Sequence, residues 1–167
     1  MPTLRHWLDN ELDRLVQRGK RELAEAFVDF NQRYFEPDYE GALAAIEPLY
    51  NLIHLTHEPL WSAVVGYYHA SANLAWKGDL ATAWRQSNNA YVQAAQQRGQ
   101  FDALTIYLQE LLLSAHLSVD GPGYAVEVLA ALESMPRPLP EDVQQRINLI
   151  KAQAFAAQGH PCLLYTS

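Results

Sequence analysis

The sequence predicts an all-α protein, and three of its features support this class. Apolar residues return at helical spacing along almost the whole chain, and no stretch alternates with the period of two that strands require. Turn signals rich in glycine or proline separate the apolar runs at short intervals. The 167 residues are 49% hydrophobic, so the chain has enough apolar surface to bury a core.

About eight helices follow from where the apolar runs begin and stop. The first ends near Gly19, and the second stops before Pro37. The third begins at Asp38, whose side chain suits an N-cap. Gly78 and Asp79 supply the end of the fourth helix and the cap of the fifth. The apolar residues of the other helices fall near 58–76, 80–94, 101–118, 125–132 and 141–158.

Three turn-and-helix segments can be laid over one another along the chain. They begin at Asp38, Gly78 and Gly121, so their starts are 40 and 43 residues apart. The last segment opens on a turn over 120–123. Short connections make successive helices antiparallel neighbours, which indicates a helical hairpin that stacks on copies of itself. Charges are scarce around Gly78 because stacked hairpins bury one another on two sides.

The repeated unit resembles the tetratricopeptide repeat, in which a large residue, a small one, an aromatic and a turn glycine precede the alanine and aromatic positions of a second helix. The matching positions in this sequence are Tyr67, Ser71, Leu74, Gly78, Ala83, Ala90, Ala125, Leu129, Leu132, Ala152, Phe155 and Gly159. The resemblance covers about 38–159 and implies an α-solenoid of antiparallel helix hairpins. An ordinary four-helix bundle is the structural alternative, since it also uses antiparallel amphipathic helices.

The resemblance also divides the chain into three parts. These are an N-terminal capping helix over 1–19, a tetratricopeptide-like helical repeat domain over 20–160, and a non-native tail over 161–167. The tail is separated because CLLYTS looks like translated adapter sequence. We therefore expect the native part of this sequence to end near Pro161. We expect the true protein to continue beyond that residue with a different sequence.

The function that the resemblance implies is recognition without catalysis, as a protein-interaction scaffold. In the family, the first helix of each hairpin lines a concave groove that holds an extended peptide or a helix of a partner. Tyr68 and Trp76 are the sharpest candidates here, because rigid aromatic side chains offer a large contact area. Packing against the adjacent hairpin is the alternative for both. The positions that would face the groove are Val65, Tyr68, Ala72, Ala75, Trp76, Arg146, Leu149 and Gln153.

Two other functions remain open. The first is the sensory or regulatory arm of a larger signalling ATPase or transcription activator, in which a helical repeat region receives a ligand or a partner. The second is a helical enzyme that lacks a recognisable motif. Sequence beyond the two ends of the chain would separate the scaffold from the regulatory arm. A deep pocket with two or more perturbed acidic groups would indicate an enzyme.

Motifs for catalysis and metal binding are incomplete, so we predict no enzyme, no cofactor and no metal site. His57 and Glu58 start like a zinc-protease motif, but Trp61 replaces the second histidine. His54 and His57 lack a third ligand at a suitable spacing, so we interpret them as solvated.

Two further patterns have plain structural interpretations. Gly121 and Gly123 begin a G-x-G-x-x-V stretch, but it follows a helix where dinucleotide sites follow a strand, so we interpret it as a turn. Glu22, Glu25 and Asp29 share one helical face, which we interpret as solvated because nothing indicates the apolar pocket that would raise a carboxyl pKa.

Charge and cysteine content narrow the partners and the compartment. The net charge is −7, and residues 36–167 carry six basic against thirteen acidic residues, which favours basic partners over nucleic acid. Cys162 is the only cysteine, so an intrachain disulfide is impossible. No apolar run approaches the roughly 20 residues of a membrane span. These features predict a cytoplasmic protein with a protein or peptide partner, and they leave its oligomeric state open.

Overall fold

Eight α-helices contain most of the residues that the computed structural model describes, which are 1–36, 38–119 and 121–159. The predicted all-α class is confirmed for these residues, since they contain no strand. The tail predicted over 161–167 lies outside them. The helices are α1 (Leu4–Gln17), α2 (Arg21–Phe35), α3 (Tyr39–Leu55), α4 (Pro59–Ala72), α5 (Leu80–Arg98), α6 (Ala103–Val119), α7 (Gly121–Glu133) and α8 (Glu141–Ala157).

The turn chemistry that the sequence predicts is present at two helix starts. A carboxylate oxygen of Asp38 accepts the backbone N–H of Gly41 at 3.0 Å, and Asp79 accepts that of Thr82 at 3.3 Å. Each bond satisfies an amide that has no partner within its own helix. Gly78 adopts the left-handed conformation, with φ +65°, that ends the preceding helix. None of the helices in the described segments is both long and apolar enough to cross a membrane.

Two helix ends differ from the prediction. The fourth helix is α-helical only to Ala72 and continues as a π segment, Asn73–Lys77. The turn predicted over 120–123 is wrong for 121–123, because α7 already begins at Gly121, and residue 120 lies outside the described residues. Pro122 therefore lies in the first turn of a helix, where its missing N–H would have had no acceptor in any case.

Successive helices pack against each other from α1 to α8, and further contacts join helices that are not successive. α4 contacts α6, and α6 contacts α8. These three helices therefore lie in order beside one another, and α5 and α7 also pack against α6. This order decides which side chains share the groove.

Small residues let α4 and α5 approach closely. Gly66 on α4 faces Ala90 on α5, and a Cβ added at Gly66 would lie 3.0 Å from the Cβ of Ala90. Ala83, Ser87 and Ala94 are buried along α5. Small side chains on both helices therefore allow the close approach of α4 and α5.

We expect Gly66→Val to lower the free energy of unfolding by about 2 kcal/mol, because the added carbons would push α4 away from α5. Urea unfolding followed by circular dichroism at 222 nm measures the loss. Ala90→Gly in the same chain should restore part of it by making room. A variant as stable as the parent would show that the helices separate without loss of packing.

Candidate binding groove

A groove crosses α4, α6 and α8 on one side of the protein. Its cavity volume is about 390 Å³. α4 and the π segment form one wall, α6 the floor and α8 the other wall. The lining residues are Tyr67, Ser71, Leu74, Glu110, Leu111, Ser114, Arg146, Leu149, Ile150 and Gln153. We call this surface the α4–α6–α8 groove.

The α1 helix packs against the same side of α6, one helical turn before the groove. The Tyr107 hydroxyl is hydrogen-bonded to the backbone of Leu4, and Tyr107 lies three residues before Glu110, on the same helical face. The indole N–H of Trp7 donates to Asp102 at 3.2 Å. All six residues over 103–108 are buried, so the first half of α6 is covered on every face. The groove lies beside the second half of α6, which α1 does not cover.

An ion pair between α6 and α8 lies in the groove. The Glu110 carboxylate is 4% exposed and accepts a hydrogen bond from the Arg146 guanidinium. Burial raises the pKa of Glu110, and the charge of Arg146 opposes that rise. Asp142, one turn earlier on α8, lies 3.7 Å from Arg146. Because a buried carboxylate is costly without a partner, Arg146 is needed to hold Glu110 in its charged form.

Aromatic hydroxyls complete the polar part of the groove. Burial raises the pKa of Tyr67 well above its ordinary value, so this phenol stays neutral at physiological pH and can donate or accept a hydrogen bond. The Arg146 guanidinium lies 5.5 Å from the ring centroid of Tyr107. The Tyr107 hydroxyl donates to Asp142 at 2.7 Å, and burial raises its pKa to about 12. The groove therefore combines fixed polar groups with apolar side chains of three helices.

Three of the residues predicted to face a groove do line it. Arg146, Leu149 and Gln153 are spaced along one face of α8 and appear together in the cavity wall. Leu149 is 64% exposed, which leaves it free to contact a ligand. Whether these residues bind a partner stays a prediction.

The structure corrects the face predicted for α4. Val65, Tyr68 and Ala72 are buried in the core, so they offer no surface to a partner. Tyr68 packs edge-on against Phe30 of α2, with ring centroids 6.0 Å apart. The aromatic side chains of α2 occupy the side of α4 that was assigned to a ligand. This outcome matches the alternative that Tyr68 packs against the adjacent hairpin.

The residues of α4 that do line the groove were assigned to hairpin packing by the tetratricopeptide resemblance. They are Tyr67, Ser71 and Leu74. Each lies one or two residues from a position assigned to the groove, so the register along this helix is displaced. Ser71 also lies close enough to the Tyr34 hydroxyl of α2 to lower the pKa of that group. The pattern of large and small residues alone could not separate these two faces.

Trp76 lies in the π segment and is partly exposed. Its ring contacts Tyr34 and Tyr39, with centroids 4.7 and 4.0 Å apart. Ala75, beside it, is exposed. The π segment has no clear signal in the sequence, although such irregular turns occur often at functional sites.

A second, shallower cavity of about 340 Å³ lies between α1 and α2. Leu12, Val16 and Val28 contribute apolar surface to it, and Glu25 and Asp29 contribute carboxylates. Glu22, Glu25 and Asp29 are all exposed, which agrees with the prediction that they form a solvated face.

Two other sequence motifs can be placed in the structure. His54 and His57 are exposed at the end of α3 and just after it. Within the described segments, no group of three or more histidine, cysteine or acidic side chains is arranged to hold a metal ion.

Comparison with known proteins adds no relative to this description. No family model, curated protein or solved structure matches the chain.

Proposed function

We propose that this chain is a non-catalytic interaction module that binds a helix of a partner protein in the α4–α6–α8 groove. The observation that carries the proposal is the position of α1. That helix already packs against α6, and its apolar side chains Trp7 and Leu8 are buried. A partner helix would use the open second half of the same side of α6 in the same manner.

The groove has the composition that helix recognition needs. Leu74, which is half-buried, and Leu149, which is exposed, would contact the apolar face of a ligand helix. The hydroxyls of Ser71 and Ser114 and the amide of Gln153 would bind polar groups at its edge. Catalysis has no comparable support, because the buried Glu110 is held in an ion pair with Arg146.

We further propose that the hairpins follow a degenerate tetratricopeptide-like solenoid. The pairs would be α2 with α3, α4 with α5, and α6 with α7, and α8 would be the first helix of the next unit. The contact order supports this assignment, since α4, α6 and α8 are the first helices of successive units and pack in sequence. The groove would then lie on the ligand-binding side of the solenoid. With Cys162 as its single cysteine, we place such a module in the cytoplasm.

A library of displayed helical peptides of 16 residues, selected on the folded chain, tests the function. We expect the selected peptides to compete with one another and to lose about tenfold or more in affinity on Leu149→Arg, because the new charge would occupy the apolar wall. Fluorescence anisotropy of a labelled peptide measures the dissociation constant.

Val28→Arg is the matched control for this test. Val28 is 50% exposed and lies in the cavity between α1 and α2, so the substitution adds the same charge outside the groove. Its effect on affinity should stay below about twofold, as expected of a surface change outside the interface. Peptides that lose binding on Val28→Arg but not on Leu149→Arg would refute the proposed groove.

A further inference from the structure

Four aromatic side chains form a cluster beside the π segment, which we call the aromatic patch. It comprises Tyr34, Phe35, Tyr39 and Trp76. Phe35 and Tyr39 are 72% and 46% exposed, although large apolar side chains are usually buried. The ring centroids of Tyr34 and Phe35 are 5.2 Å apart, and Trp76 contacts both Tyr34 and Tyr39. The patch therefore joins the end of α2, the start of α3 and the π segment that follows α4.

The π segment fixes the position of Trp76. Its first residue, Asn73, is buried and donates its side-chain amide to Gln86 of α5 at 2.6 Å. The Asn73 carbonyl accepts the backbone N–H of Asp79 at 2.9 Å. These bonds anchor both ends of the irregular turn, so the Trp76 ring is held against its neighbours instead of moving freely. A rigid aromatic surface loses little entropy when it binds.

Acidic residues flank the patch in sequence. Glu36 follows Phe35 and Glu40 follows Tyr39, and both are exposed. Asp38 lies between them and pairs with Arg33, which also pairs with Asp29. Lys77 is the other cation next to the patch in sequence. The excess of carboxylates favours a positively charged group over the rings.

We propose that the aromatic patch binds an arginine side chain of a partner peptide. A guanidinium stacks flat on tyrosine and tryptophan rings, while its N–H groups reach carboxylates at the rim. Glu36 and Glu40, which are exposed and follow Phe35 and Tyr39 in sequence, would supply such carboxylates. A lysine ammonium would find the same charge but could not stack in the same way. The patch thus selects arginine through its shape as well as through its charge.

The patch also adjoins the α4–α6–α8 groove. Ser71 lines the groove and lies close enough to the Tyr34 hydroxyl of the patch to lower the pKa of that group. A ring contact on α4 also connects the two surfaces. Tyr67, which lines the groove, packs against its neighbour Tyr68, with ring centroids 5.3 Å apart. One peptide could therefore span both, but arginine binding to the patch does not depend on occupation of the groove.

Two labelled peptides of equal charge test the proposal, one of six Arg-Gly repeats and one of six Lys-Gly repeats. We expect the arginine peptide to bind the full chain about fivefold more tightly, since only it can stack on the rings. Phe35→Ser with Tyr39→Ser should abolish this preference and leave both peptides with equal affinity. Because Phe35 and Tyr39 are exposed, the fold should survive, and circular dichroism at 222 nm checks that it does.

Charge variants separate the patch from the general attraction of an acidic protein for cations. Glu36→Gln with Glu40→Gln should weaken the arginine peptide several-fold. Glu127→Gln with Glu133→Gln on α7, which removes the same charge elsewhere, should change its affinity less than twofold. Equal affinity of the two peptides for the parent chain, or a preference that survives loss of the rings, would overturn the proposal. Leu149→Arg changes the groove and should leave the preference for the arginine peptide unchanged, because the patch acts alone. Failure of the groove proposal and failure of the patch proposal therefore give different results.

Discussion

Replacing Trp61 by alanine is expected to lower the free energy of unfolding by about 4 kcal/mol, the largest effect of any single change considered for this protein. Trp61 is fully buried at the start of α4. Its ring packs edge-on against Phe27 of α2, with centroids 4.9 Å apart, and Phe27 in turn contacts Phe30 and Tyr68. Truncation would leave a cavity between α2 and α4 and weaken all of these contacts. Urea unfolding followed by circular dichroism at 222 nm measures the loss.

Trp61→Phe is the matched control, because it keeps an aromatic ring in the cavity. The indole N–H of Trp61 is buried and has no hydrogen-bond partner in the described part of the chain. Phenylalanine removes that unsatisfied donor, which offsets part of the lost volume. The phenylalanine variant should therefore stay within about 1 kcal/mol of the parent. A loss as large as that of the alanine variant would mean that the indole N–H does have a partner.

Replacing Arg146 by methionine is expected to cost about 2 kcal/mol of stability at pH 7. The change leaves the Glu110 carboxylate, whose side chain is 5% exposed, without its counter-charge. Removal of one partner of a fully buried pair costs more, about 3–5 kcal/mol, but Arg146 is 41% exposed and its contribution is screened by water. Thermal and urea unfolding of the two chains at pH 7 measure the difference.

The pH dependence of this loss identifies its cause. Burial raises the pKa of Glu110 in the folded protein, so the folded state favours the protonated carboxyl. Stability from this group is therefore present below the ordinary glutamate pKa and is lost as the pH rises through the raised value. Without Arg146 the pKa rises further, and the difference between the two chains should shrink as the pH falls toward 4.

The double variant Arg146→Met with Glu110→Gln completes the test. It has no carboxylate to bury, so its stability should lack this pH dependence and should recover much of the loss at pH 7. If Arg146→Met loses the same stability at pH 4 as at pH 7, the cause is lost packing of the long side chain, and the ion pair contributes little.

The helices and their caps could be predicted from local sequence, because each depends on few residues. Asp38 and Asp79 accept amides three residues ahead, and Gly78 can adopt a positive φ that other residues avoid. The start of α7 at Gly121 was missed because glycine and proline are turn formers and first-turn residues alike. Local signals therefore located the helices well and their exact ends less well.

The faces of the helices were harder to predict, since they depend on what packs from outside. On α8, Arg146, Leu149 and Gln153 line the groove as predicted. On α4, the same repeat pattern placed Tyr68 in the groove, but the aromatic residues of α2 cover it. Trp76 lies in the π segment and contacts Tyr34 and Tyr39. The spacing of apolar residues within one helix does not show where a neighbouring helix packs.

The contact between α1 and α6 has a consequence for synthesis on the ribosome. Trp7 and its hydrogen-bond acceptor Asp102 are 95 residues apart in sequence, and Glu11 pairs with Arg98. While the first half of the chain emerges, Trp7 has neither Asp102 nor α6 to contact. Contacts of such long sequence separation form late and slowly. α1 is therefore made well before the helix on which it docks, and Trp7 stays accessible to chaperones until translation has passed α6.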